Sequence, residues 1–132
     1  MINYIEFNNN PKRRKTGDCS TRALANILNI SYEQALKEQC EIAIKYCYGI
    51  TDKQTIDYVM KKYGWEKQKQ PRKLNNTKYK VNEMDEVLTT DEMKNGALVL
   101  IANHWTIVRD YMIEDIWNCG SKSVGNYWIK KK

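Results

Sequence analysis

The 132-residue chain has one histidine, His104, and no Cys-x-x-Cys pair among its four cysteines. It also has no apolar stretch long enough to cross a bilayer, and its start, Met1-Ile2-Asn3-Tyr4-Ile5-Glu6-Phe7, lacks the basic and then apolar pattern of a leader. Each absence excludes something. Without paired cysteine spacing there is no zinc-knuckle pattern, so no metal and no cofactor is expected. Without a signal peptide or a membrane span, a cytoplasmic protein with reduced cysteines is the default expectation. With 42% apolar and 29% charged residues the sequence is neither disordered nor fibrous, and its length suits a single domain, residues 1–132.

What the chain has in quantity is positive charge. Lys and Arg number 22 against 16 Asp and Glu, giving +6, with clusters at Lys12-Arg13-Arg14-Lys15, between Lys67 and Lys80, and in the tail Lys130-Lys131-Lys132. Such a surface can attract nucleic acid or acidic partners. Lysine and asparagine are abundant throughout, however, and no nucleic-acid motif accompanies them, so a basic nucleic-acid-binding module is kept only as an alternative.

The residue pattern divides into a helical half and a strand-rich half. Ile2 to Phe7 suits a short first strand, and the Asn8 to Lys15 stretch a loop. Ala23, Leu24, Ile27 and Leu28 share one face of a helix beginning at Cys19 and capped by Asp18. Ser31 with Gln34 opens a second helix closed by Gly49, and Thr51 with Gln54 a third closed by Gly64. Glu66 to Tyr79 is an exposed strand or loop, and Val81 to Leu88 a short helix. Ala97 to Ala102, too short and too β-branched for a helix, is a central strand; His104 to Val108, Met112 to Trp117 and Tyr127 to Ile129 follow it, with a turn at Asp110-Tyr111. Helices first and sheet after give an α+β class.

Within that layout Cys19 is the residue to follow. A cysteine in the first turn of a helix meets unpaired backbone N–H groups and the positive end of the helix dipole, both of which favour thiolate. A nucleophilic thiol also needs a base, here His104, and a group to hold the base, here Asp115 on the next strand, with Asn118 as the fallback. Trp117 is placed to shield the bond between them. Cys40 and Cys47, seven residues apart on the second helix, read as packing residues, and Cys119 is left open.

The run Gly17-Asp18-Cys19-Ser20 leading into a helix, with His104 on one strand and Asp115-Ile116-Trp117 on the next, resembles the papain-like cysteine peptidases. Gly120, Gly125 and Tyr127-Trp128-Ile129-Lys130 resemble that family's glycine turn into a last strand. The likeness covers the first helix and the last third, and is greatest to compact bacterial and bacteriophage members, including those that process bacteriocin leaders. It implies helices packed on a C-terminal antiparallel sheet and a Cys19-His104-Asp115 triad that cleaves a peptide or amide through a thioester, with a peptide or protein as substrate; a monomer is the default expectation. Arg13 holds the place of the glutamine that donates to the oxyanion in larger members, so Asn8, Asn9 or Asn10 becomes the expected donor, beside the Cys19 backbone N–H. The alternative implied by the same departure is a catalytically inactive relative that binds a protein partner.

Overall fold

The computed structural model describes residues 2–132. Along the chain come β1 (Asn3–Glu6), α1 (Cys19–Leu28), α2 (Tyr32–Tyr46), α3 (Lys53–Lys62) and β2 (Trp65–Gln68). A 3-10 helix (Val81–Glu86), α4 (Thr90–Asn95), β3 (Ala97–Ile101), β4 (His104–Arg109), β5 (Met112–Asp115) and β6 (Tyr127–Lys130) complete it. The class is α+β, with helices packed on a six-stranded sheet of order β1-β5-β4-β3-β6-β2. The sheet is mixed, not antiparallel, and not confined to the C-terminal part. β1 runs parallel to β5, with Asn3 opposite Met112 and Glu6 opposite Asp115, while β2 closes the other edge antiparallel to β6.

The alternation of β3 and β4 explains where the cores sit. Leu98, Trp105, Ile107 and Trp128 face α1, α2 and α3, meeting Leu24, Ala35, Ile56 and Met60. Ala97, Val99, Ile101 and Val108 face the opposite way, onto Val81, Met84 and Met93 from the 3-10 helix and α4. A strand buried on both faces reads as a continuous apolar run, which is the pattern of Ala97 to Ile101. Among the described residues no helix is long and apolar enough to cross a membrane.

Several helix ends differ from the sequence expectation. Ser31 caps α2 as expected, its Oγ accepting from the Gln34 N–H, but α2 stops at Cys47 in the left-handed conformation (φ 59°), before Gly49. Cys47 is consequently exposed and Cys40 half-buried, so the two do not form a common buried face. The cap of α3 is Asp52, not Thr51, and its carboxylate accepts from the Gly49 N–H in the preceding turn. α4 is opened by a capping box, Thr89 with Glu92, whose Ser/Thr-x-x-Glu spacing is present in the sequence.

Gly96 joins α4 to β3 at φ 93°, where a Cβ would lie 2.9 Å from Ile27 Cδ1 and 3.1 Å from Arg109 Cβ. Gly96→Ala combines backbone strain with a clash inside the α1 contact. It is expected to cost more than about 1 kcal/mol in denaturant unfolding.

Candidate active site

Cys19 opens α1, as the sequence indicates, but Asp18 does not cap the helix with its side chain. Its carboxylate is held elsewhere. Oδ1 accepts from Arg22 Nε at 2.7 Å; Oδ2 accepts from Asn10 Nδ2 at 2.8 Å and from the Tyr32 hydroxyl at 2.7 Å. Burial and the bond to Asp18 push the Tyr32 phenol up to about 12. The charge next to Cys19 is therefore compensated by a buried arginine rather than by the helix amides. Gln39, fully buried on α2, fixes the same turn by accepting from the Thr21 hydroxyl and donating to Ser20 Oγ.

His104 begins β4 and Asp115 ends β5. The antiparallel register pairs Ile107 with Glu114, which sets Asp115 opposite Thr106 and diagonal to His104 on one face of the ladder. The two side chains meet there, with His104 Nε2 2.6 Å from Asp115 Oδ2. Cys19 lines the same cleft as His104, and each group shifts the other's pKa. The first residue of α1 is thus a neighbour of the facing ends of two adjacent strands. Asp115 is anchored on every side: Oδ1 accepts from the Ile116 N–H at 2.7 Å, and its backbone carbonyl accepts from the Phe7 N–H and the Tyr4 hydroxyl. β1 contributes to the site in this way, by pinning the end of β5.

The electrostatics follow from burial and partners. Burial works to raise the Cys19 pKa, but the hydrogen bond with His104, the Trp105 backbone N–H and the positive charges of His104 and Arg22 outweigh it and lower the value. For His104, burial opposes the charged ring, and the bonds to Asp115 and Cys19 overcome it, raising the pKa to about 9. Asp115 is likewise lowered, burial being outweighed chiefly by His104. Near neutral pH these directions favour a thiolate and imidazolium pair over two neutral groups. Cys119 behaves oppositely, its buried thiol being pushed up to about 11.

The remaining expected site residues have more local positions. Trp117 lies beyond the end of β5, its ring 5.1 Å from the His104 ring and tilted across it, and is 38% exposed, so it covers the imidazole from solvent without being core. Asn118 accepts from the Gly120 N–H and forms a turn instead of holding His104. Asn8 and Asn9 donate their side-chain amides to the Arg14 and Arg22 carbonyls, and Asn10 donates to Asp18. All three amides are thus engaged in bracing the loop before α1.

Two further side chains reach Asp115: Arg22, which the sequence did not single out, and Cys119, whose role it left open. Arg22, 7% exposed, links Asp18 to Asp115, with Nη1 3.9 Å from Asp115 Oδ1; its signal was the spacing of four from Asp18 on α1. Cys119, fully buried, sits with its sulfur 3.7 Å from Asp115 Oδ2. His104, Asp115 and Cys119 offer ligand atoms within 4.8 Å of one another, a set that could in principle hold a metal. The short His104 to Asp115 bond and a thiol that resists ionisation make that set a poor fit for an ion. A cleft of about 550 Å³ opens in front of the pair, lined by Gly17, Cys19, Asp52, Asn103, His104 and Trp105 among others. Cys19 is thus both buried enough to be tuned and open to a ligand. Compared with protein-family models, with curated proteins and with solved structures, the chain matches none.

Proposed function

We propose that this protein is a cysteine peptidase or amidase that works through a thioester on Cys19, with a compact papain-like arrangement. The observation that carries the reading is the 2.6 Å contact between His104 Nε2 and Asp115 Oδ2, on a ring that shares a cleft with Cys19, the first residue of α1. Asp115 fixes the ring and compensates its charge; His104 holds the proton that Cys19 gives up. The thiolate attacks the substrate carbonyl carbon, and the new C–S bond forms as the carbonyl electrons move to oxygen. Collapse breaks the bond to the leaving amine, which takes the proton from His104. Water then attacks the thioester, gives its proton to His104 and releases the acid and the thiolate. The backbone N–H of Cys19, unpaired at the start of α1, is the donor closest in sequence to the developing oxyanion.

A second reading is favoured by a specific observation. The side-chain amides of Asn8, Asn9 and Asn10 are engaged with other groups, so the loop before α1 offers no free counterpart to the glutamine whose place Arg13 holds. Loss of one oxyanion donor costs about a hundredfold or more in rate. A weakly active or inactive relative that binds a protein partner is the form this reading takes.

Competitive alkylation separates the two. Under limiting iodoacetamide at slightly acid pH, followed by peptide mass spectrometry, Cys19 is expected to be modified first, ahead of exposed Cys47, with buried Cys119 last. Equal modification of Cys19 and Cys47 would remove the basis for a nucleophile at Cys19.

A further inference from the structure

We propose that the groove beside Cys19 selects acidic peptide substrates, a specificity that rests on the thiol acyl-transfer reading above. The cleft holding Cys19 and His104 shares the wall formed by Lys53, Leu100 and Ile101 with a second basin of about 460 Å³. The two form one path along the β3 to β4 hairpin. Three lysines line the second basin, and they come from separate parts of the chain: Lys53 from the start of α3, Lys78 from the segment after β2, and Lys122 from the loop before β6.

Their convergence is built by the backbone. The Val124 N–H donates to the Tyr79 carbonyl at 2.8 Å and Lys80 bridges to Ser123, which ties the segments carrying Lys78 and Lys122 together. The Gly125 N–H donates to the Leu100 carbonyl at 2.8 Å, drawing the same loop against the end of β3. Lys53 Nζ donates to Asn126 Oδ1 at 3.0 Å, so α3 is fastened to that loop as well.

Charge complementarity decides the occupant. The residues lining this basin include no Asp or Glu, and among the described residues no carboxylate forms an ion pair with Lys53, Lys78 or Lys122. Elsewhere the chain does pair such lysines, as with Lys62 and Glu38 or Lys73 and Glu83. The one carboxylate in the neighbouring cleft, Asp52, accepts from the Gly49 N–H on its own turn. A peptide whose scissile carbonyl lies at Cys19 and whose chain runs over Leu100 and Ile101 brings its flanking side chains among these three ammonium groups. Aspartate or glutamate there gains three opposite charges, and lysine or arginine meets three like ones.

The test uses two peptide chloromethyl ketones differing only in charge, acetyl-Asp-Glu-Ala-Gly and acetyl-Asn-Gln-Ala-Gly, each reacting at Cys19 of the full chain. Each rate is divided by the iodoacetamide rate of the same protein, so that the reactivity of the thiol cancels. The acidic probe is expected to react about tenfold faster than the neutral one, with the gap narrowing as salt is added. The gap is expected to reverse in the triple variant Lys53→Glu, Lys78→Glu, Lys122→Glu, and to persist in Lys12→Glu, Lys37→Glu, Lys94→Glu, which carries the same net charge. Equal rates for the two probes, or equal loss in both triple variants, would overturn the assignment while leaving the nucleophile intact. Because binding does not need the thiol, fluorescein-labelled acidic peptide is also titrated into Cys19→Ala by anisotropy. Tighter binding than the neutral peptide supports the groove even where alkylation fails, and preferential capture of a thymidine oligonucleotide by the same three lysines would overturn a peptide occupant.

Discussion

His104→Ala is expected to lower the rate at which iodoacetamide modifies Cys19 near pH 6 on the order of a hundredfold. The wild-type thiol is held below its ordinary value of 9.0 against the opposing effect of burial, and the hydrogen bond with His104 is the largest factor lowering it. Without the imidazole, only the Trp105 backbone N–H and Arg22 oppose burial, so the value rises toward the ordinary 9.0, at which a thiol is ionised to only about one part in a thousand at pH 6. The lower nucleophilicity of a low-pKa thiolate offsets part of the gain in ionised fraction, which is why the expected loss is smaller than the ionisation ratio alone. Pseudo-first-order alkylation followed by mass spectrometry reads this directly, with circular dichroism as the control for folding. A change of less than about threefold would mean that His104 does not ionise Cys19, whatever their proximity.

Arg22→Met is expected to destabilise the fold by about 3–5 kcal/mol, although it replaces one long side chain with another. Arg22 is 7% exposed, and its partners are similarly buried, the Asp18 side chain being 10% exposed and that of Asp115 3%. Removing the guanidinium leaves the Asp18 carboxylate with only Asn10 and Tyr32 as donors, and removes one of the two cationic groups facing Asp115. The cost is the penalty of an uncompensated buried charge, not the worth of an exposed ion pair. For a chain of this size it should lower the melting midpoint by about 10 °C or more. A loss under about 1 kcal/mol in urea unfolding would show that Asp18 is compensated without Arg22.

The legible parts of the molecule were those governed by short-range pattern. Cys19 at a helix start, the Ser31 cap, the apolar run of β3 and the Asp110-Tyr111 turn all follow from residues within a few positions, the turn appearing as consecutive positive φ values. The order of His104 and Asp115 on successive antiparallel strands allowed their meeting, and the register, which the sequence left open by one residue, decides it by placing them as a diagonal pair on one face. What the sequence did not carry was pairing at a distance. β1 lies beside β5 although more than a hundred residues separate them, and β2 is an edge strand whose partner is the last strand of the chain. Asp18 shows the limit of local rules: its type and place suit a helix cap, yet Arg22, Asn10 and Tyr32 together offer better partners than the helix amides. Cys47 departs from the packing role its spacing suggests for a related reason, since α2 ends on it in a left-handed conformation and it is exposed.

The pH dependence carries a definite sign. Turnover that requires thiolate and imidazolium together should rise as pH passes the lowered Cys19 value and fall as it passes the raised His104 value of about 9. The stabilising contribution of protonated His104 has the same alkaline limit. It is fully present below the ordinary imidazole value of 6.5 and is lost as pH rises through about 9.

Because His104 is the only histidine in the chain, its ring gives a single, self-assigning imidazole signal in a nuclear magnetic resonance titration. That titration tests the coupled Cys19, His104 and Asp115 site most directly, since the apparent midpoint belongs to the coupled groups. The expected midpoint is about 9 in the wild type, falling toward 6.5 in Asp115→Asn and, by a smaller step, in Cys19→Ala. A wild-type midpoint at or below 6.5, unmoved by either substitution, would contradict an imidazolium held between that carboxylate and that thiolate.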